Sequence, residues 1–211
     1  MYTIAPIQLT SASGHALTFR SLAASDAAIL GRFFLALSDE TKRRFGPHPF
    51  DQATADALCS NVHLDDTVRL IATQTAPPHN HDATTATTTS DNERIIAYFI
   101  LMLGVTEHET ERYSKVGIRL SQDFDCTFAP VIADAYQNQG IASALMDRTM
   151  EIMSEYGRKR IVLLGGTQAT NHRAVRFYEK HHFRHVGAFE HPHGVYNYDM
   201  MAVLGTPHQD I

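Results

Sequence analysis

Only two cysteines, Cys59 and Cys126, stand in a chain of 211 residues, so one disulfide is the most that could form. Nothing in their placement argues for it, and both read as reduced thiols in a reducing compartment. Long apolar runs are lacking too: none approaches the roughly 20 residues that cross a bilayer. The opening stretch MYTIAPIQLT has neither the basic head nor the apolar core of a secretory signal. No membrane partner is expected, and a cytoplasmic location follows by default. Basic charge is in deficit. Eighteen Lys and Arg against 23 Asp and Glu give a formal charge of −5, which argues against the basic stripe of a nucleic-acid binder. Metal signatures fail as well. HEXXH is absent, the neighbours His181 and His182 point about 100° apart on a helix, and the His79/His81 pair has no carboxylate and cysteine set to complete it. No metal is expected.

What is present is an ordinary globular complement, with 44% hydrophobic residues. The length suits one domain over 1–211. The charge is uneven. Eight basic and four acidic residues fall between Gln137 and His185, leaving that segment +4 and the remainder −9. The excess positive charge suits a small anionic ligand or a solvated helix surface.

Periodicity predicts a strand over Leu17 to Leu22. A helix follows with Ser25 or Asp26 as its cap and Ile29, Phe33, Phe34 and Leu37 on one side. A second helix is expected from Asp51 to Cys59. Strands are expected over Val68 to Gln74 and Arg94 to Leu103, joined across 75–93 by a Thr-, Pro- and Asp-rich stretch that reads as a mobile surface loop. A short strand over Val116 to Leu120 precedes a stronger one in CTFAPVIADAY, interrupted by Pro130. After YQNQG comes a helix with Ile141, Leu145, Met146, Ile152, Met153 and Tyr156 on its apolar face, stopped by Gly157. Then follow the strand RIVLLGG, the helix TNHRAVRFYEKHH, and two closing strands, FRHVGAFE and VYNYDMMAVL. The order implies an α+β fold whose middle helical crossovers join parallel strands.

The turn before Gly140 carries the chemistry. A strand ending near Asp134, a tight turn and a helix opening at Gly140 or Ile141 gather unpaired N–H groups at the positive end of a helix, an arrangement that holds phosphate. Glycine at 140 avoids a Cβ in the path of a phosphate, and Ala142 and Ser143 keep the first turn uncrowded. Neither a Walker loop nor GxGxxG is present, so spacing alone leaves a plain strand-to-helix turn open beside phosphate binding.

The run VIADAYQNQGIASALMDRTME resembles the acetyl-coenzyme A signature of the GNAT N-acetyltransferase superfamily, Q/R-x-x-G-x-G/A, met here by Gln137, Asn138, Gln139, Gly140, Ile141 and Ala142. A second signature resembles NHRAVRFYEKHHF, residues 171 to 183, and the likeness extends from about Leu17 to Leu204. A finer similarity, through RFGPHPF, Phe128–Ala129 and VIADAYQNQG, is to the acetyltransferase module of bacterial protein-lysine acetyltransferases. The resemblance implies a mixed, mostly antiparallel sheet of six or seven strands with splayed central strands, flanked by about four helices. It also implies acetyl-coenzyme A as cosubstrate and direct acetyl transfer to a primary amine.

By the same resemblance, backbone groups of Ile132 and Asp134 pair with the pantetheine arm, and the amides from Gln139 to Ser143, with Gln137 and Asn138, hold the pyrophosphate. Asn171 contacts the arm, although Asn at a helix start is also a good N-cap. The Tyr178 hydroxyl protonates the leaving thiolate. Many relatives carry a Glu immediately before the position of Phe128 as general base. Thr127 stands there, behind Cys126, and neither suits an ammonium group. Asp123 and Asp125, just upstream, are the candidate bases, acting directly or through water, or else form a polar loop. The acid-rich remainder favours a small cationic amine as acceptor, with a protein lysine or N-terminus as the alternative. A third reading is an acyl-coenzyme A sensor of the same fold that transfers nothing.

Overall fold

In the computed structural model the described residues are 3–62, 66–75, 92–191 and 194–205. They build one continuous sheet from β1 (Ile7–Thr10), β2 (Ala16–Ser21), β3 (Thr67–Thr75), β4 (Glu93–Met102), β5 (Asp125–Ile132), β6 (Arg160–Leu163), β7 (Thr167–Gln168), β8 (Arg184–Glu190) and β9 (Tyr196–Val203). The order is β1-β2-β3-β4-β5-β6-β9-β7, with β8 also paired to β9. Only β5 and β6 run parallel; every other pairing is antiparallel. The α+β layout is as expected, with a larger strand count because the short β1 and β7 carry little pattern of their own. The crossover rule holds once rather than twice. α5 (Ile141–Glu155) links the parallel pair, whereas α6 (His172–Lys180) leads into β8, which meets β9 antiparallel. The polar loop and the His79/His81 pair fall at 76–91, outside the described residues.

Alternation along β5 divides the core. Phe128 packs with Phe99, Leu101, Ile141, Leu145 and Met153 beneath α5 and α6. Ala129 and Val131 point the other way, to Phe33, Phe34, Ala55, Cys59 and Tyr98 under α1 (Ala27–Ala36) and α3 (Gln52–Ser60). α5 ends where expected: Gly157 has φ 75°, and the Arg158 N–H returns to the Met153 carbonyl. Cys59 and Cys126 are free and buried.

Two helices were not legible as such. α2 (Asp39–Arg44) is made wholly of polar residues and is fixed at its start by Ser38, whose hydroxyl accepts the Thr41 N–H. α4 (Glu107–Lys115) occupies the polar stretch, and the strand expected at Val116 to Leu120 does not form. Its only buried residues are Glu109 and Tyr113, one turn apart, so there is no apolar stripe to read. Tyr113 joins Val105, Leu120 and Val162 in a small cluster. Because Ile161 and Leu163 belong to the α5 side, this cluster sets α4 on the opposite face of β6.

The buried Tyr113 hydroxyl donates to the Met200 carbonyl at 2.9 Å and ties α4 to β9. Tyr113→Phe removes that bond and is expected to lower stability by about 1 kcal/mol. A urea or thermal melt against the parent chain checks it; a change below about 0.5 kcal/mol contradicts the assignment.

Candidate active site

The site begins where two parallel strands part. The last backbone bond between them is Leu164 N–H to Phe128 C=O, 3.0 Å; beyond it the chain after β6 turns away through Gly165 and Gly166, both with φ near +70°. β5 continues, still paired to β4 as far as Ile132. Main-chain groups alternate sides along a strand. The Phe128 carbonyl faces β6 and the Ala133 N–H faces the Ile96 carbonyl of β4, so Pro130 and Ile132 present their backbone to the gap. Proline's missing N–H therefore falls where β6 has already gone. The Pro130 carbonyl and the Ile132 N–H are left on an open edge, while the Ile132 carbonyl accepts from Gln137 Nε2 at 3.1 Å.

The turn beyond β5 is held from both sides. Asn138 has φ 62°, and Gln139 Nε2 donates to the Ala135 carbonyl. Gly140 sits at φ 73°, and a Cβ there would stand 3.1 Å from that of Ala12. The glycine is thus required by a left-handed turn and by the close approach of the β1–β2 hairpin, a constraint the sequence did not show. The hairpin also sends the Ser13 hydroxyl to the Gln139 carbonyl (2.9 Å) and His15 Nε2 to Gln139 Oε1 (2.5 Å). α5 has no side-chain cap. Its first bond is Ala144 N–H to Gly140 C=O, so the N–H groups of Ile141, Ala142 and Ser143 precede the helical ladder. The Ile141 side chain is core.

A cleft of about 270 Å³ runs from this turn past the open edge of β5 to α6. Ile132, Gln137, Asn138, Gly140, Ile141, Ala142, Ser143, Asn171 and Tyr178 all line it. Gln139 does not, its side chain being taken up by Ala135 and His15. Asn171 is the N-cap of α6, accepting the Ala174 N–H, and its Oδ1 also accepts from Arg44 Nη1 at 3.0 Å. Tyr178 is 7% exposed, and its hydroxyl bonds to none of the described residues. Burial pushes its phenol well above the usual range, so it keeps its proton at neutral pH.

Asp134, expected to offer its backbone, is not among the residues lining the cleft. Its carboxylate accepts from the Ser38 N–H, the Ser38 hydroxyl and the Thr41 hydroxyl, tying α2 to the end of β5. Burial alone would raise its pKa, but these three donors outweigh it and hold the group below the usual carboxylate range. At the other lip, Arg44 reaches Asn171 and Gln168 Nε2 reaches the Arg43 carbonyl. α2 therefore bridges the gap, and Thr41, Arg44, Phe45, Gly46 and Pro47 form its roof. Nothing in the charged run DETKRR signalled this role.

The candidate bases are not brought to the cleft. Asp125 is fully buried and clasped by Arg160 through Nε (2.7 Å) and Nη2 (2.5 Å), with the Ser121 N–H on the same carboxylate. Asp123 lies in the preceding loop, where its carbonyl accepts from Arg158. Neither lines the cleft, and no Asp or Glu does among the described residues. Thr127 is buried with its hydroxyl unpartnered. Burial pushes the Cys126 thiol up to about 12, which leaves no thiolate for covalent chemistry. No cluster of metal-ligating groups occurs among the described residues, and no helix there is long and apolar enough to cross a membrane.

Residues 117–183 match the family model described as the Acetyltransferase (GNAT) family. The fold has the same company. The GNAT domain of S. lividans PAT superposes with a TM-score of 0.67 at 19% identity, over 94% of this chain and 97% of that one. The chain has the fold of the GNAT acetyltransferases, and the family model matches its segment 117–183. Aminoglycoside acetyltransferase AAC(6')-Ib, solved with coenzyme A and kanamycin, gives a TM-score of 0.58 at 19% identity over 89% and 94%. A ribosomal-protein alanine N-acetyltransferase from Escherichia coli gives 0.53 at 15% over 92% and 98%. No curated protein matches the sequence significantly. The second signature forms α6, and the RFGPHPF stretch contributes Phe45 to Pro47 of the roof.

Asp125→Asn removes the charge that Arg160 clasps and is expected to cost about 3 kcal/mol of stability, the scale of a broken buried ion pair. Ligand affinity of the cleft, measured on the folded fraction, should stay within about twofold. A stable variant that has lost its function would return Asp125 to the reaction.

Proposed function

We propose that this chain transfers an acetyl group from acetyl-coenzyme A directly to a primary amine. One observation carries the reading: the open edge of β5, the uncapped amides of α5 and the protonated Tyr178 hydroxyl all line the same cleft. The Ile132 N–H and Pro130 carbonyl suit the amides of a pantetheine arm, which adds to β5 as a short strand would. The amides of Ile141 to Ser143 suit a pyrophosphate at a helix start, with Gln137 and Asn138 beside them. The amide nitrogen of Asn171 is the part of that side chain left for the arm, since its oxygen caps α6 and meets Arg44. When bound, acetyl-coenzyme A supplies a thioester carbonyl open to attack and a sulfur that departs as thiolate. Tyr178 holds the proton that this sulfur needs.

The acceptor is a primary amine by analogy with the neighbours, one solved with kanamycin and one described by a ribosomal-protein alanine. A second reading has a specific observation behind it. No carboxylate lines the cleft, and Thr127 occupies the expected position of the base. A chain that binds acyl-coenzyme A without transferring the acyl group is consistent with that.

Calorimetric titration with acetyl-coenzyme A, followed by thiol release in the presence of polyamine, aminoglycoside and lysine- or N-terminal-peptide acceptors, separates the two. Saturable binding with amine-dependent thiol release supports transfer. Binding without release from any acceptor supports the sensor, and no binding at millimolar ligand rejects both. For the transferase, Tyr178→Phe should lower kcat by about 100-fold or more with acetyl-coenzyme A affinity held within about twofold. An undiminished kcat removes the proton-donor role.

A further inference from the structure

Glu109 is a buried carboxylate that the proposed reaction leaves unused. It is 2% exposed, and its Oε1 accepts from the Gly165 N–H at 3.1 Å and from Arg112 Nη2 at 3.0 Å; the Thr106 hydroxyl donates to Oε2. Burial alone would raise its pKa, but the Thr106, Gly165 and Arg112 donors together hold it below the usual carboxylate range, so it is ionised at neutral pH. Arg112 forks onto both oxygens of Asp199 on β9 and lies 4.1 Å over the Phe189 ring of β8.

The partner matters more than the charge. Gly165 follows Leu164, the last residue of its segment to bond β5, and Leu164, Gly166 and Thr167 all line the cleft. Two successive glycines at positive φ make this bend the part of the cleft wall with the widest choice of conformation. Gly166 is held by its N–H on the Leu163 carbonyl at 3.2 Å and admits no side chain, since a Cβ there would meet the Tyr198 carbonyl at 2.8 Å and Phe189 at 2.9 Å. Gly165 has no such wall, since nothing lies within 4 Å of the Cβ direction. The Glu109 carboxylate is what takes up its N–H, reaching from α4 on the face opposite α5.

We propose that Glu109 is a positioning residue for the acyl-donor slot: by binding the Gly165 amide it fixes the angle at which the chain leaves β5 and so holds the slot open. The inference rests on the reading of the cleft as an acyl-coenzyme A site. It differs from a plain structural role, in which Glu109 would merely balance Arg112 beside Asp199, because reach and charge then rank oppositely.

Two variants exploit that difference. Glu109→Gln keeps an acceptor oxygen at the same reach and removes the charge; Glu109→Asp keeps the charge and withdraws the acceptor by one methylene. Acetyl-coenzyme A affinity and kcat are measured on the folded fraction of each, with Tyr113→Phe as a control that loosens α4 without touching Gly165. Amide exchange at 164–167 is followed without ligand. Positioning predicts that Glu109→Asp weakens acetyl-coenzyme A binding about tenfold and speeds exchange at Gly165, while Glu109→Gln and Tyr113→Phe stay within about threefold of the parent. Glu109→Gln equal to or worse than Glu109→Asp overturns the proposal, as does an equal loss in Tyr113→Phe. If the parent chain itself binds no acetyl-coenzyme A, the reading of the cleft fails and this inference with it; if the parent binds and the two variants bind alike, the inference alone falls.

Discussion

Everything in the site depends on β5 and β6 keeping company for four residues and then separating. A sheet leaves no main-chain group for a ligand while its strands stay paired. Here the pairing ends at Phe128 and Leu164, and β5 runs on alone on that side to Ile132. Proline at 130 costs the sheet nothing, because the donor it lacks would have faced the gap. On the departing side, two left-handed glycines give a sharper turn than residues with side chains would adopt. The separation is thus written into both strands independently.

The two faces of the sheet then divide the labour. α5 and α6 bury one face and bring a helix start and the Tyr178 hydroxyl to the gap. α1, α3 and α4 cover the other, and α2 crosses above, bonded to Asp134 on one lip and to Asn171 and Gln168 on the other. Those polar ties hold a helix that buries none of its own residues. The carboxylates of Asp134 and Glu109 hold helix and backbone at the edges of the site rather than facing the cleft.

Sequence showed well whatever is local or periodic. The length of α5, its stop at Gly157 and the strand interruption at Pro130 are all decided by residues within a few positions of one another. The family resemblance, rather than local pattern, named part of the cleft lining, Tyr178 and Asn171 included. Partners far along the chain were illegible. Asp125 looked like a base because Arg160, which clasps it, lies 35 residues away. Gly140 has a second reason in space beside the one from sequence, since Ala12 cannot be paired with it by any pattern. α4 failed on amphipathicity: its buried face consists of one tyrosine and one glutamate, and the glutamate's value is a backbone amide 56 residues on.

The grip of the amino-terminal hairpin on the Gly140 turn spans 126 positions of sequence between Ser13 and Gln139. During synthesis the hairpin is made early and must wait for more than half the chain before it meets its partner. Contacts of that separation are bought with loop-closure entropy and tend to form late. The hairpin can grip the turn only once the chain through Gln139 has been made, when β1 to β5 are available to the sheet and β6 to β9, on the far side of the cleft, are still to come.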